Sequence, residues 1–280
     1  VDLSVHWTLS PSWTAELKPV AMLSGIGVEH LRMRCHWADY FLHHRSPEHD
    51  NGWDHIGLNW ITDSWVRNVV SENATTSIGM ANTKNCTLMD CRITGNPGHN
   101  GYCVGGAATA NLLLRLDCER PMHAFNLSGR ICGNVLHDCR ISEPGGVDLH
   151  GGTCLDTLVD RLTGGVLVGG GSDKAVPPRH GRGLVMWNWC QGHYDPYQAW
   201  RRVERIANWR ETPGFIAVGV HGLDGHRCHY DCRDGRAYED RHDDDAWVES
   251  NNQSVMPSSL YKHQVVRRAQ GGTSAKTPCE

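Results

Sequence analysis

The sequence predicts an all-β fold, a right-handed parallel β-helix. Three observations carry that expectation: a repeat with a period in the low twenties, short alternating strands inside each repeat, and Gly/Asn-rich corners with no helical period between them.

The repeat is seen first in Asp90-Cys91-Arg92-Ile93-Thr94, which returns 48 positions later as Asp138-Cys139-Arg140-Ile141-Ser142. Leu116-Asp117-Cys118-Glu119-Arg120 reads as a degenerate copy between them, giving two steps of about 24. A second ladder runs through Ile78/Met80, Tyr102/Val104, Phe125/Leu127, Val147/Leu149 and Val166/Val168, whose starts are 24, 23, 22 and 19 positions apart. Each pair is apolar at a spacing of two, so both side chains face one side of a strand. A second short strand per repeat begins near Cys86, Leu112, Val135 and Thr157. Between strands lie Gly95-Asn96-Pro97-Gly98, Ser128-Gly129 and Gly151-Gly152, which is turn chemistry. A single coil cannot cover its own apolar interior, so the coils must stack. Cys91, Cys118 and Cys139 are expected to point inward as a row of small apolar thiols.

The flanks differ from the repeats. Val28, Leu31 and Met33 alternate as a strand, and an N-terminal continuation of the coils before Val1 is expected. Pro257-Ser258-Ser259-Leu260-Tyr261 opens a helix capped by Ser, with Arg267 and Arg268 in its last turn and Gly271 as its stop. The expected organisation is a β-helix with inserted loops over 1–255, a C-terminal helix over 256–270 packing on the solenoid, and a tail over 271–280. Asp224 to Asp245 reads as a solvated loop.

Composition bounds the function. The net charge of −4 and 21% charged residues argue against a nucleic-acid binder that relies on a basic surface. No apolar run reaches the roughly 20 residues of a membrane-spanning helix. Twelve Cys, with acceptor patterns at Asn73, Asn85, Asn126 and Asn252, point to a secreted, extracellular chain in which disulfides are expected.

The repeats, together with Gly57-Leu58-Asn59, Asp63-Ser64-Trp65-Val66-Arg67-Asn68-Val69, Gly98-His99-Asn100-Gly101, Gly146-Val147-Asp148-Leu149-His150, Pro178-Arg179-His180-Gly181 and Trp187-Asn188-Trp189, resemble the pectin-lyase-like superfamily of right-handed β-helices. Within it they are similar to a group of mostly microbial secreted proteins of unassigned activity. That resemblance implies a carbohydrate-active protein, with lyases, glycosidases, epimerases and adhesins all on the same fold. The group carries two consecutive His after the Asp corresponding to Asp148, whereas Leu149 intervenes here.

The site expectation follows from alternation. With Val147 and Leu149 inward, Asp148 and His150 face out, and the ladder sets Asn126 beside Asp148. His99 and His123 are 24 apart, each just before its strand, and should be neighbours on the same face. For eliminative cleavage of a uronic-acid polymer, His123 or His150 is the expected base, and Arg179, His180 and Arg182 are the expected source of positive charge. Asn100, Asn126, Trp53 and Trp187 are expected to bind the sugar, the indoles by packing on its ring faces. The same face admits a glycoside hydrolase, with Asp173 partnering Asp148, or a glycan-binding solenoid without turnover. The set His43-His44-Arg45-Ser46-Pro47-Glu48-His49-Asp50, followed by Asp54-His55, has no established metal-ligand spacing and reads as a polar rim bordering the groove. No metal ligand and no obligatory cofactor is expected; a divalent cation such as calcium is compatible with a uronate substrate.

Overall fold

A computed structural model of the chain describes residues 11–12, 14, 16, 18–37, 40–142, 145–169, 178–192, 212–223, 241–242 and 246–270. It is an all-β molecule, a parallel β-solenoid of about 5 turns with a short C-terminal helix. Asp173, residues 224–240 and the 271–280 tail lie outside the described residues.

Each turn contributes a strand to a six-stranded parallel sheet and then crosses into a thirteen-stranded one. The six-stranded sheet runs in space through Asp54–Asn59, Thr76–Ala81, Asn100–Gly105, His123–Gly129, Gly146–Gly152 and Val166–Val168. Apolar residues two apart put one side chain in every two into the interior, so stacking lines them up. Val66, Leu88, Leu113, Leu136, Val159, Met186, Ala217 and Val248 are register partners in one unbroken column. All of them are buried. Such a column holds the coils together, because each fully buried aliphatic side chain contributes about 1.5–3 kcal/mol.

The cysteine expectation holds for burial and fails for register. Cys91, Cys118 and Cys139 are buried, but Cys118 pairs with Ile93 and Ile141, and Asp117 pairs with Arg92 and Arg140. The middle repeat is therefore displaced by two residues from the alignment in which Asp117 matches Asp90 and Asp138. A slip of two leaves every side chain on the same face, which is why burial is unaffected. The observed register alternates charge on the outside: Asp90 accepts two hydrogen bonds from Arg115, at 2.7 and 2.8 Å, and Asp138 accepts one from Arg161 at 2.5 Å. Among the described residues no disulfide is formed, and Cys86, Cys91, Cys118, Cys132, Cys139 and Cys154 are buried as small apolar side chains.

Corners are tight. Gly152, at φ +104, sits over Gly129, at φ +80, and a Cβ on Gly152 would lie 2.4 Å from the Gly129 carbonyl oxygen. At the far end, helix α2 (Leu260–Gln270) begins at Ser259, whose hydroxyl accepts from the Lys262 N–H at 3.0 Å. The expected Ser cap is there. Its anchor, which no sequence pattern marks, is Asp160, which accepts from the Ser259 hydroxyl at 2.6 Å and from the Tyr261 and Leu260 N–H groups at 2.9 and 3.3 Å.

Candidate functional site

The outer face of the six-stranded sheet gathers the site. Val147 and Leu149 point into the core and are fully buried, so Asp148 and His150 face the other way. Asn126 is the register partner of Asp148, as the alternation requires. His123 reaches the same face by a different route. The register between His123–Gly129 and Gly146–Gly152 shifts between His123 and Phe125, and both Ala124 and Phe125 are absorbed into the core. The extra residue turns His123 outward, where simple alternation with Phe125 would have turned it in. In the preceding coil Gly101 leaves room for this irregularity: a Cβ there would stand 2.6 Å from both the Ala124 carbonyl oxygen and the Cys118 sulfur.

Asp148 is the hub, 0% exposed. Its Oδ2 lies 2.6 Å from Nδ1 of His150 and 3.1 Å from Nδ1 of His123. A carboxylate only accepts, so the His150 contact assigns the proton to Nδ1 and leaves the lone pair on Nε2. The His150 side chain is 28% exposed and is the member of the pair that a ligand can reach. The rings of His123 and His150 are 5.8 Å apart, and those of His99 and His123 are 5.3 Å apart.

A segment from Tyr40 to Asn51 closes over this face. Its five-residue helix α1 (Pro47–Asn51) starts at Ser46, whose hydroxyl accepts from the His49 N–H at 3.4 Å, with Pro47 in the first turn. The Asp50 backbone carbonyl lies 3.2 Å from Nδ1 of His99, so this ring too donates from Nδ1. The Asp50 carboxylate accepts from the His44 N–H at 3.1 Å and lies 3.0 Å from its Nδ1. Phe41 stacks on His99 at 5.9 Å, and the His43 ring stands 5.0 Å from His99 and 5.7 Å from His123.

The cap therefore brings a fourth and a fifth imidazole, His43 and His44, and a second carboxylate, Asp50, to a cluster that sequence reasoning assembled from four groups. The run His43 to Asp50 was visible as a polar rim. Only its descent onto His99 and His123 was not. His49 and His55 do not join: His49 accepts from the Leu42 N–H at 3.0 Å, and His55 lies between Ser71 Oγ at 2.7 Å and Cys35 Sγ at 2.9 Å.

Burial sets the electrostatics. It pushes the His43 imidazole down to about 4 and lowers that of His99. For His123 burial outweighs the attraction of Asp148 and the ring falls to about 3. These three rings are neutral near pH 7. The Nε2 atoms of His43, His99 and His123 are all buried and none has a hydrogen-bond partner. One ring nitrogen from each lies within 4.8 Å of the other two, and a second such group comprises His123, Asp148 and His150.

The remaining expected residues divide. Asn126 donates to the Asn100 side-chain oxygen at 3.1 Å, a two-rung ladder beside the cluster. Trp53 lies two coils before Asn100, its N–H donating to the Thr75 hydroxyl at 2.9 Å while its carbonyl accepts from the Thr75 N–H at 2.9 Å. His180 is not brought to the cluster. It is 0% exposed at the corner leading into the thirteen-stranded sheet, with Nε2 2.9 Å from the Thr157 hydroxyl and Nδ1 2.8 Å from the Gly181 carbonyl. With both nitrogens committed it has none to offer a substrate, which corrects its expected role. Arg179 and Arg182 flank it at that corner, where the Arg182 carbonyl accepts from the Asp156 N–H at 3.0 Å. Trp187 is likewise corrected: it lies on the thirteen-stranded sheet and its indole N–H donates to the Pro257 carbonyl at 2.8 Å, fastening the segment before α2.

No curated protein and no solved structure matches the chain. Residues 121–272 match the family model of a domain of unknown function, DUF4955, a span that holds His123, Asp148 and His150 and stops short of His43 and His99. With more than half of its length inside that match, the chain belongs to the DUF4955 family.

Proposed function

We propose that the protein is a secreted, pectin-lyase-like polysaccharide lyase that cleaves a uronic-acid-containing glycan by β-elimination. The observation that carries this reading is the Asp148–His150 pair: a fully buried carboxylate held 2.6 Å from the Nδ1 of a partly exposed imidazole. Asp148 fixes the tautomer and stabilises the imidazolium that forms, and His150 Nε2 is the base. It takes the C5 proton of the uronate; the electron pair forms the C4–C5 double bond, the C4–O glycosidic bond breaks, and the departing oxygen takes up a proton. Asn100 and Asn126 border the pair and supply hydrogen bonds to sugar hydroxyls, and Trp53 supplies a flat apolar edge.

A glycoside hydrolase would need two carboxyl groups flanking the scissile bond. Asp148, at 0% exposure, has no path to a glycosidic oxygen, which favours elimination. Incubation with a panel of uronic-acid and neutral glycans tests the reading. The expected product has a new conjugated double bond, seen by ultraviolet absorbance, on the uronate glycans only. New reducing ends without that absorbance would indicate hydrolysis, and binding without either product would indicate a non-catalytic solenoid.

A further inference from the structure

We propose that His43, His99 and His123 together hold one divalent transition-metal ion, with zinc the best match. Each of these rings keeps a buried Nε2 without a hydrogen-bond partner, which is costly because the atom loses water without gaining a partner, and one nitrogen of each ring lies within 4.8 Å of the other two. A cation that accepts all three lone pairs removes that cost. The orientation of one ring is set from behind. His99 is held through Nδ1 by the Asp50 carbonyl, while His123 Nδ1 lies 3.1 Å from the Asp148 carboxylate without making a hydrogen bond to it. Outer partners of this kind turn the Nε2 lone pairs of metal-ligating imidazoles toward the ion.

The donor set decides the class of ion. Calcium takes six to eight oxygens, whereas a set of three imidazoles suits zinc and its neighbours and leaves a fourth position open. On a tetrahedral ion with bonds of about 2.0–2.1 Å the nitrogens stand about 3.3 Å apart, so from separations of up to 4.8 Å the set draws in by at most about 1.5 Å. His43, on the covering segment, is the ligand placed to make that movement. The alternative group of His123, Asp148 and His150 is the weaker candidate, since its Asp148 oxygen and His150 nitrogen already share a proton at 2.6 Å.

The site requires no assumption about the reaction. Only its role rests on the lyase reading: an ion with an open position beside His150 would neutralise the uronate carboxylate.

The full-length chain, stripped with chelator and dialysed, is titrated with zinc by calorimetry and with cobalt(II) by visible absorption. One equivalent of each should bind, and cobalt should show the intense bands of a four-coordinate nitrogen site. His43→Ala, which removes a half-buried loop residue, should weaken binding at least about tenfold while thermal unfolding of the metal-free protein is unchanged. His99→Ala and His123→Ala should do the same where they fold. His150→Ala and His263→Ala, the latter on the exposed helix, should bind as the parent does. The proposal is overturned if the parent binds no stoichiometric ion, if His43→Ala binds as tightly as the parent, or if His150→Ala abolishes binding. Zinc binding without glycan cleavage would leave this site standing and remove the lyase reading, and cleavage without zinc binding would do the reverse.

Discussion

Two His–Asp clusters lie on the outside of this solenoid, and they are built alike. On the thirteen-stranded sheet, His137 and Asp160 are register partners on successive coils, and the start of α2 lies over them. On the six-stranded sheet, His123 and Asp148 belong to successive coils, and the segment carrying α1 lies over them. The difference lies in the partners. Asp160 accepts from a hydroxyl and two helix N–H groups, and both nitrogens of the fully buried His137 face a carboxylate, at 3.1 Å from Asp160 and 3.2 Å from Asp138. Around Asp148, His43, His99 and His123 each keep a buried Nε2 with neither a hydrogen-bond nor a carboxylate partner among the described residues, and His150 remains partly open. The first cluster fastens an element through the hydrogen bonds that Asp160 accepts, whereas the second leaves imidazole nitrogens buried without a partner.

That contrast can be broken experimentally. The largest effect is expected for His150→Ala, which should lower glycan cleavage by about 10²–10⁴-fold with a shift in unfolding free energy within about 1 kcal/mol. Steady-state rates and urea denaturation on the same preparation check it; a large loss of stability would make His150 a second His137. Next comes Asp160→Ala. It strips three donors of their acceptor and should cost about 3 kcal/mol or more, with α2 becoming sensitive to limited proteolysis. A wild-type urea midpoint would show that α2 is held by other contacts.

A matched pair of substitutions sharpens the comparison further. His137→Phe leaves the Asp160 and Asp138 carboxylates facing an apolar ring and should cost about 3 kcal/mol. His123→Phe removes contact with one carboxylate rather than two, leaves Asp148 its 2.6 Å contact with His150, and should cost less, about 1 kcal/mol, while zinc binding is lost. Equal costs in the two variants would erase the distinction drawn between the clusters.

The smallest effect concerns His180, a buried imidazole with both nitrogens hydrogen-bonded. Burial lowers it below the usual imidazole range, against the pull of the Gly181 carbonyl and Asp156. A folded value below the unfolded one means that the unfolded chain takes the proton first. The stability contributed by the neutral ring is therefore complete above about pH 6.5 and is lost as the pH falls toward the folded value, at up to about 1.4 kcal/mol per pH unit. Urea midpoints measured across about pH 5–7.5 should fall less steeply in His180→Gln than in the parent. Identical slopes would mean that His180 protonates equally in both states.

Legibility in the sequence followed the range of the interactions. The coil period, the inward thiols and the outward Asp148 and His150 were readable because strand alternation is local and its period is two. The register of the middle repeat was misread by two residues, since the Asp-Cys signature matches in either phase and only the pairing of Asp117 with Arg92 and Arg140 distinguishes them. His180 and Trp187 read as site residues because their types fit. Placing them at other corners required knowing which coil face each turn presents.

His123 joins the wall only through the irregularity before Phe125, but alternation of apolar and polar residues over a short period was enough to dictate stacked parallel coils and to turn Asp148 and His150 to one outer face. That information is carried by neighbours along the chain and by one repeat above or below. The descent of His43, His44 and Asp50 onto that wall, and the capture of α2 by Asp160 across about 100 residues, are decisions of the folded chain alone. They depend on where a loop and a helix come to rest on an already formed cylinder, and no periodic pattern encodes that.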